Sequence, residues 1–116
     1  MPMDSGQDLL LELQGKMKML DTALREFGKR GRDYANAEQE YRCALAEKIL
    51  VERDKGVPVT IISDICRGDR KIAKLKFERD VAESVYDAAR EACNCYKLEI
   101  RILEGQVNRE WGRNDT

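Results

Sequence analysis

The chain has 116 residues, a formal net charge of -1, 37% charged and 6% aromatic side chains, two prolines and no histidine. Its length is that of one domain, and a balance so near zero excludes a surface coated in basic residues for bulk nucleic-acid binding. A composition rich in Ala, Leu, Glu, Lys and Arg belongs to long helices and coiled coils and excludes a β-sandwich or a doubly wound sheet.

The amino terminus, Met1 to Asp8, has neither the basic region nor the hydrophobic core of a secretory signal. No apolar run approaches the roughly 20 residues of a membrane span, so a cytoplasmic protein is expected.

The first predicted helix covers about residues 5–55, with Asp4 or Ser5 as its N-cap and Asp8 in its first turn. Its apolar positions step through Leu10, Leu13, Met17, Leu20, Leu24, Phe27, Gly31, Tyr34, Glu38, Tyr41 and Leu45. Alternating steps of three and four are the heptad signature of a helix packed along a seam. Gly15, Gly28 and Gly31 interrupt the pattern at a cost of about 1 kcal/mol each relative to Ala. The register passes through Gly28–Gly31 without a slip, which favours one helix over two.

Lys55-Gly56-Val57-Pro58 is a stop signal: Gly supplies a left-handed cap, and Pro cannot continue the hydrogen-bond ladder. A short helix over about 59–67 follows, with Ile61, Ile62, Ile65 and Cys66 as its apolar residues and Gly68 closing it. Asp69 then caps a last helix over about 70–111, and the tail from Gly112 is expected to fray. The last helix has a seam of Leu75, Ala82, Val85, Ala89, Ala92, Tyr96, Ile100, Leu103 and Val107. A second apolar flank holds Phe77, Val81, Ala88, Cys93, Cys95, Leu98 and Ile102.

Two long helices of similar length with a compact connector predict a single all-α domain, a long antiparallel hairpin of coiled-coil character. Facing positions should sum to about 124, which brings Gly28 and Gly31 near Cys93 and Tyr96, where the glycines make room for the Tyr96 ring. Leu24, Phe27, Tyr34, Tyr96, Ile100 and Leu103 are the expected packing and oligomer seam. A lone hairpin covers each seam on one side only, so a homo-oligomer, most simply a dimer forming a helical bundle, is predicted.

Cys43, Cys66, Cys93 and Cys95 are expected to be reduced and to pack as small apolar residues. The Cys93-x-Cys95 spacing fits neither a Cys-x-x-Cys redox pair nor a zinc knuckle, so no metal site is predicted. Catalysis has little to stand on. There is no histidine, the serines are Ser5, Ser63 and Ser84, and no glycine-rich loop follows a strand. No enzyme activity and no cofactor are predicted.

The basic connector is the strongest functional feature. Arg67, Arg70, Lys71, Lys74, Lys76 and Arg79 fall within thirteen residues, against Asp69 and Glu78. Cations at a helix N-terminus oppose the helix dipole, so stability alone would place acids there. Backbone N–H groups and arginines together at such an end suit a phosphate or carboxylate, and Arg67, Arg70, Lys71 and Lys74 are the candidate anion-binding residues. A solvated, charged hairpin tip is the plainer reading of the same residues. Lys29, Arg30 and Arg32 form a secondary basic cluster, for which a solvated helix face is again the plainer reading. Val59–Gly68 has a faint helix-turn-helix character, but lacks the three-helix core that motif needs.

The segments Gly56-Val-Pro-Val-Thr, Arg67-Gly-Asp, Lys76-Phe-Glu-Arg-Asp-Val-Ala-Glu and Ile100-Arg-Ile-Leu-Glu-Gly-Gln-Val-Asn-Arg-Glu-Trp-Gly resemble small α-helical proteins encoded by phages and prophages of Firmicutes. The resemblance covers residues 56–113, about half of the chain, and matches the first helix only in general character. It implies a viral origin, a helical hairpin and action inside a host bacterial cell, and brings no catalytic residues.

The expected function is therefore a non-enzymatic phage-type binding protein that antagonises a host defence system by stoichiometric occupancy. It would sequester a nucleotide-type anionic signal or block a host protein. The alternatives are an accessory nucleic-acid-binding protein of phage replication or recombination, which the net charge disfavours, and a helical spacer.

Overall fold

The computed structural model describes residues 5–114. Three helices occupy them: α1 (Ser5–Asp54), α2 (Val59–Gly68) and α3 (Arg70–Asn114). There is no strand among the described residues. Of the two expected caps of α1, Asp4 and the Ser5 side chain lie outside what is described. α1 runs unbroken through Gly28 and Gly31. α3 continues past Gly112 to Asn114, beyond the point where fraying was expected.

The punctuation of the sequence becomes explicit hydrogen bonding. Gly56 adopts φ 81°, the one left-handed residue among those described. Its N–H donates to the Arg53 carbonyl at 2.9 Å, and the Val57 N–H donates to the Glu52 carbonyl at 3.1 Å. This crossed pair is a Schellman motif, which satisfies two of the carbonyls that a helix C-terminus leaves open. Pro58, at φ -57°, leads directly into α2. α2 ends differently from expectation: Gly68 remains helical, and the extended Asp69 (φ -70°, ψ 128°) turns the chain. Asp69 then caps α3, its Oδ1 accepting the Ile72 N–H at 3.0 Å.

α1 packs antiparallel against α3, giving a helical hairpin closed by α2. Its contacts fall into two compact units, one formed by the described residues up to Gly28 with those from Ala88 onward, the other by Lys29–Asp87. In the first unit Lys16 pairs with Glu99 at 2.9 Å and lies 5.9 Å from the Tyr96 ring centre, while Arg90 lies 5.7 Å from that of Phe27. Cys93 and Leu103 are buried there.

In the Lys29–Asp87 unit Gly31 faces Tyr86, whose ring meets Tyr34 edge-on with centroids 6.0 Å apart. Arg79 pairs with Glu38 at 3.3 Å and lies 4.7 Å from the Tyr41 ring centre. Lys48 reaches Asp69 at 3.5 Å.

The pairs Gly31–Tyr86, Glu38–Arg79 and Lys48–Asp69 each sum to 117, one heptad below the expected register. Gly31 therefore accommodates Tyr86 and not Tyr96, and a side chain at Gly28 would meet nothing within 4 Å. The shift has a physical cause. The expected register set the end of α1 level with the start of α3, whereas in the structure α1 runs past that start and packs its last turns beside α2.

The seam of α3 is also rotated by one residue near its middle. Val85 and Ala92 are exposed, and Tyr86 and Cys93 take their places in the series Ile72, Leu75, Arg79, Ala82, Tyr86, Ala89, Cys93, Tyr96, Ile100, Leu103 and Val107. On α1, Met17 and Leu24 are exposed, while Lys16 and Ala23 are less so. Phe27, Tyr34, Tyr96, Ile100 and Leu103 keep their expected places on the seam. Long polar side chains hold seam positions because their stems and rings pack while their charged ends reach a partner.

The cysteines divide in two. Cys66 and Cys93 are buried as small apolar residues, whereas Cys43 and Cys95 are exposed; all four are free thiols. No helix among the described residues is long and apolar enough to cross a membrane.

Candidate functional site

The overhang of α1 creates the principal concavity of the Lys29–Asp87 unit. One face of α1 presents Tyr41, Leu45, Ile49 and Arg53 at successive steps of four, which places them in a row along a single side of the helix. α2 contributes Val59, Ile62, Ser63, Cys66 and Arg67, and the first turns of α3 contribute Ile72, Ala73 and Lys76. Together they enclose an open groove of about 730 Å³. Ile62, Cys66 and Ile72 are among the most buried side chains of the chain, so the floor is fixed by packing. Val59 is 70% exposed at the edge.

The lining carries three cations, Arg53, Arg67 and Lys76, and no carboxylate. Among the described residues none of the three has a carboxylate partner within ion-pair distance. α2 adds to this charge. Its first turn has no acidic residue, and no side chain caps its N-terminus beside Val59. The positive end of its dipole is left uncompensated at the groove.

A polar clamp holds the groove's frame. Lys48 bridges Glu52 at 3.0 Å and Asp69 at 3.5 Å, and Lys55 adds a second contact to Glu52 at 3.4 Å. Glu52 is almost fully buried, which is tolerable because its carboxylate is shared by two ammonium groups. Hydrogen bonding from Lys48, and then the Lys55 charge, hold its carboxyl below the usual glutamate range. The Ile72 backbone N–H, aided by Lys48, does the same for Asp69. Glu38 is held low first by Arg42 and then by Arg79.

The predicted anion residues separate on this geometry. Arg67 lies in the groove. Lys71 lines a shallower depression of about 320 Å³ with Ala44, Glu47, Lys48, Val51, Asp69 and Ile72. Arg70 and Lys74 are exposed and line neither. The Ile72 amide in the first turn of α3 is already engaged by the Asp69 carboxylate, so that helix end carries an anion of its own. Within the secondary cluster, Arg30 pairs with Asp33 at 3.6 Å and, together with Phe77, lines a 270 Å³ depression, while Lys29 and Arg32 are exposed.

Arg53 and Lys76 were missed as groove residues. In the sequence Lys76 stands out only as part of the basic run, and Arg53 lies fourteen positions before Arg67. The four-residue spacing of Tyr41, Leu45, Ile49 and Arg53 is the signal that could have found the second.

Compared with known proteins, the chain matches no family model, no curated protein and no solved structure.

Proposed function

We propose that the chain is a non-enzymatic binding protein that antagonises a host bacterial defence system by stoichiometric occupancy, holding an anionic target in the α2 groove. The observation that carries the reading is an aliphatic floor rimmed by Arg53, Arg67 and Lys76 with no acid in the lining. Cations without a carboxylate partner among the described residues, set around an apolar surface, favour an occupant that brings both negative charge and apolar area. A nucleotide-type signal and an acidic surface of a host protein both meet this description. The phage setting rests on the resemblance of residues 56–113, the segment that supplies α2, Arg67 and Lys76, and the defence target on the association of small non-enzymatic phage proteins with stoichiometric occupancy.

The protein acts in this reading as a homodimer in the host cytoplasm. Phe77, Val81 and Val85 form an exposed stripe on α3, with Phe77 67% exposed. Arg30, Asp33 and Glu78 line the same depression, so both signs of charge flank the stripe, which supports its pairing with a second copy.

The test is made in cells. In strains that each carry one defence system, the wild-type chain restores plaquing by a sensitive phage in at least one strain. Arg53→Ala/Arg67→Ala/Lys76→Ala abolishes the effect while keeping its helical circular dichroism. Equal restoration by the triple variant, or none by the wild type, sinks the reading.

A second reading, an accessory nucleic-acid-binding protein, draws on Arg70, Lys71 and Lys74, which are exposed at the start of α3. It requires DNA binding that weakens steeply between low and moderate salt and is reduced by Arg70→Ala/Lys74→Ala.

A further inference from the structure

We propose that the occupant of the α2 groove is an acidic amphipathic α-helix of a partner protein, docked along α1 with aliphatic side chains on the floor and carboxylates against Arg53, Arg67 and Lys76. The proposal rests on the reading of the groove as a binding surface and names the partner's chemistry.

Three features point to a helix. The first is length. Tyr41 to Arg53 spans twelve helical steps of α1, about 18 Å at 1.5 Å per step, which accommodates three turns of a parallel or antiparallel helix. The second is the apolar surface between two helical walls, offered by Leu45, Ile49 and Ala73 over the packed Ile62, Cys66 and Ile72, with Val59 exposed at the edge. Helix-in-groove recognition uses such a floor, filled by side chains at i, i+3, i+4 and i+7. The third is the placement of charge. By the α1–α3 register Lys76 lies level with Tyr41, so Lys76 and Arg53 stand at opposite ends of the groove, with Arg67 on the α2 wall. Cations spread along an apolar trough match acids flanking an apolar helical stripe, whereas a compact phosphate group would want them converged on one point.

The same lining disfavours a nucleotide. Its uncharged hydrogen-bonding side chains are the hydroxyls of Tyr41 and Ser63. The Tyr41 ring, the one aromatic surface on which a base could stack, already carries the Arg79 guanidinium 4.7 Å from its centre. A nucleobase would leave ring-edge donors and acceptors unpaired against aliphatic side chains, which is costly.

A displayed library of 16-residue helix-forming peptides supplies the test, with leucines fixed at i, i+3, i+4 and i+7 and the flanking positions randomised. Selection on the full-length wild-type chain should enrich Asp and Glu in the flanks. Selected peptides, measured by fluorescence anisotropy, should bind Arg67→Glu/Lys76→Glu at least about tenfold more weakly and should also weaken with salt. Val59→Asp, at the exposed edge, should weaken them without unfolding the chain.

No enrichment, neutral or basic flanks, or binders insensitive to all these substitutions overturn the proposal. So does displacement of the selected peptides by a panel of linear and cyclic adenine and guanine nucleotides. Stronger groove-dependent binding by a peptide of residues 5–18, whose Asp8 to Leu13 stretch is acidic and leucine-rich, would assign the groove to a second copy instead. The two proposals fail separately. Defence antagonism that needs the groove cations without selection of acidic helices leaves occupancy standing and removes the helix. Groove-dependent acidic helices without antagonism in cells do the reverse.

Discussion

Gly31 and Tyr86 meet across the helix pair so closely that a Cβ on residue 31 would lie 3.0 Å from the tyrosine Cε1. The same ring also meets Tyr34, one turn further along α1, edge-on with centroids 6.0 Å apart, so two residues of one α1 face bear on it. Gly31→Leu should therefore destabilise the chain by about 1–3 kcal/mol through overpacking, despite the better helix propensity of leucine. Urea unfolding followed by circular dichroism measures it, and an unchanged midpoint would show that the contact is slack.

Gly28 provides the opposite case on the same helix. Nothing lies within 4 Å of the place where its Cβ would be, so Gly28→Ala should stabilise by about 1 kcal/mol through helix propensity alone. A loss of stability in the same urea titration would mean that residue 28 is covered in solution.

Asp69 serves two elements at once, capping α3 through the Ile72 N–H and tying α1 through Lys48. Asp69→Ala should lower the melting temperature, and Asp69→Asn, which retains capping ability but not charge, should lower it less. Equal losses for the two would place the whole effect in the Lys48 pair.

The pH dependence follows from Glu38, Glu52 and Asp69, whose carboxyls are all held below their ordinary range in the folded chain. A carboxylate with a depressed folded pKa contributes stability at pH values above its unfolded pKa and loses it as pH falls through the folded one. Stability should thus be level through neutrality and decline below about pH 4, the range of unperturbed Asp and Glu. Glu52→Gln should flatten that decline in urea titrations repeated at several pH values, and an unchanged slope would remove Glu52 from the account.

The proposed dimer predicts a sedimenting mass of twice the 13.3 kDa chain. Phe77→Glu, at a position two-thirds exposed in the single chain, should return the protein to monomer with its helical content intact. A monomeric wild type at micromolar concentration would exclude this face as a stable dimer contact.

Local punctuation was legible at Gly56 and Asp69 but not at Gly68, which stays helical, and long-range alignment was not legible. The left-handed stop at Gly56 and the N-cap at Asp69 are each made with neighbours within five residues, so these two roles follow from residue type and position, whereas the Lys48 contact of Asp69 does not. The register depends on where α2 packs, which no periodicity records, and a seven-residue shift preserves every three-four step of the pattern. Seam membership erred for a related reason. Ranking positions by apolarity selected Val85 and Leu24, whereas the structure favours Tyr86, which has Gly31 opposite, and Arg79, which has Glu38 and Tyr41. The groove cation Arg67 was legible from the basic run. Arg53 was not, because its partners in the site come from the next two helices.

The overhang of α1 beyond the start of α3 has a consequence for how the chain finds its alignment. The three-four steps of a seam specify alignment weakly: slid by seven residues, heptads still face heptads, like two rulers with like spacing, and only particular pairs such as Gly31–Tyr86 and Glu38–Arg79 part. α2 wedged beside Ile49 and Arg53, with Lys48 latched to Asp69, gives those rulers a common zero. A chain without that wedge would retain its helices while losing the preference for one alignment over its neighbours.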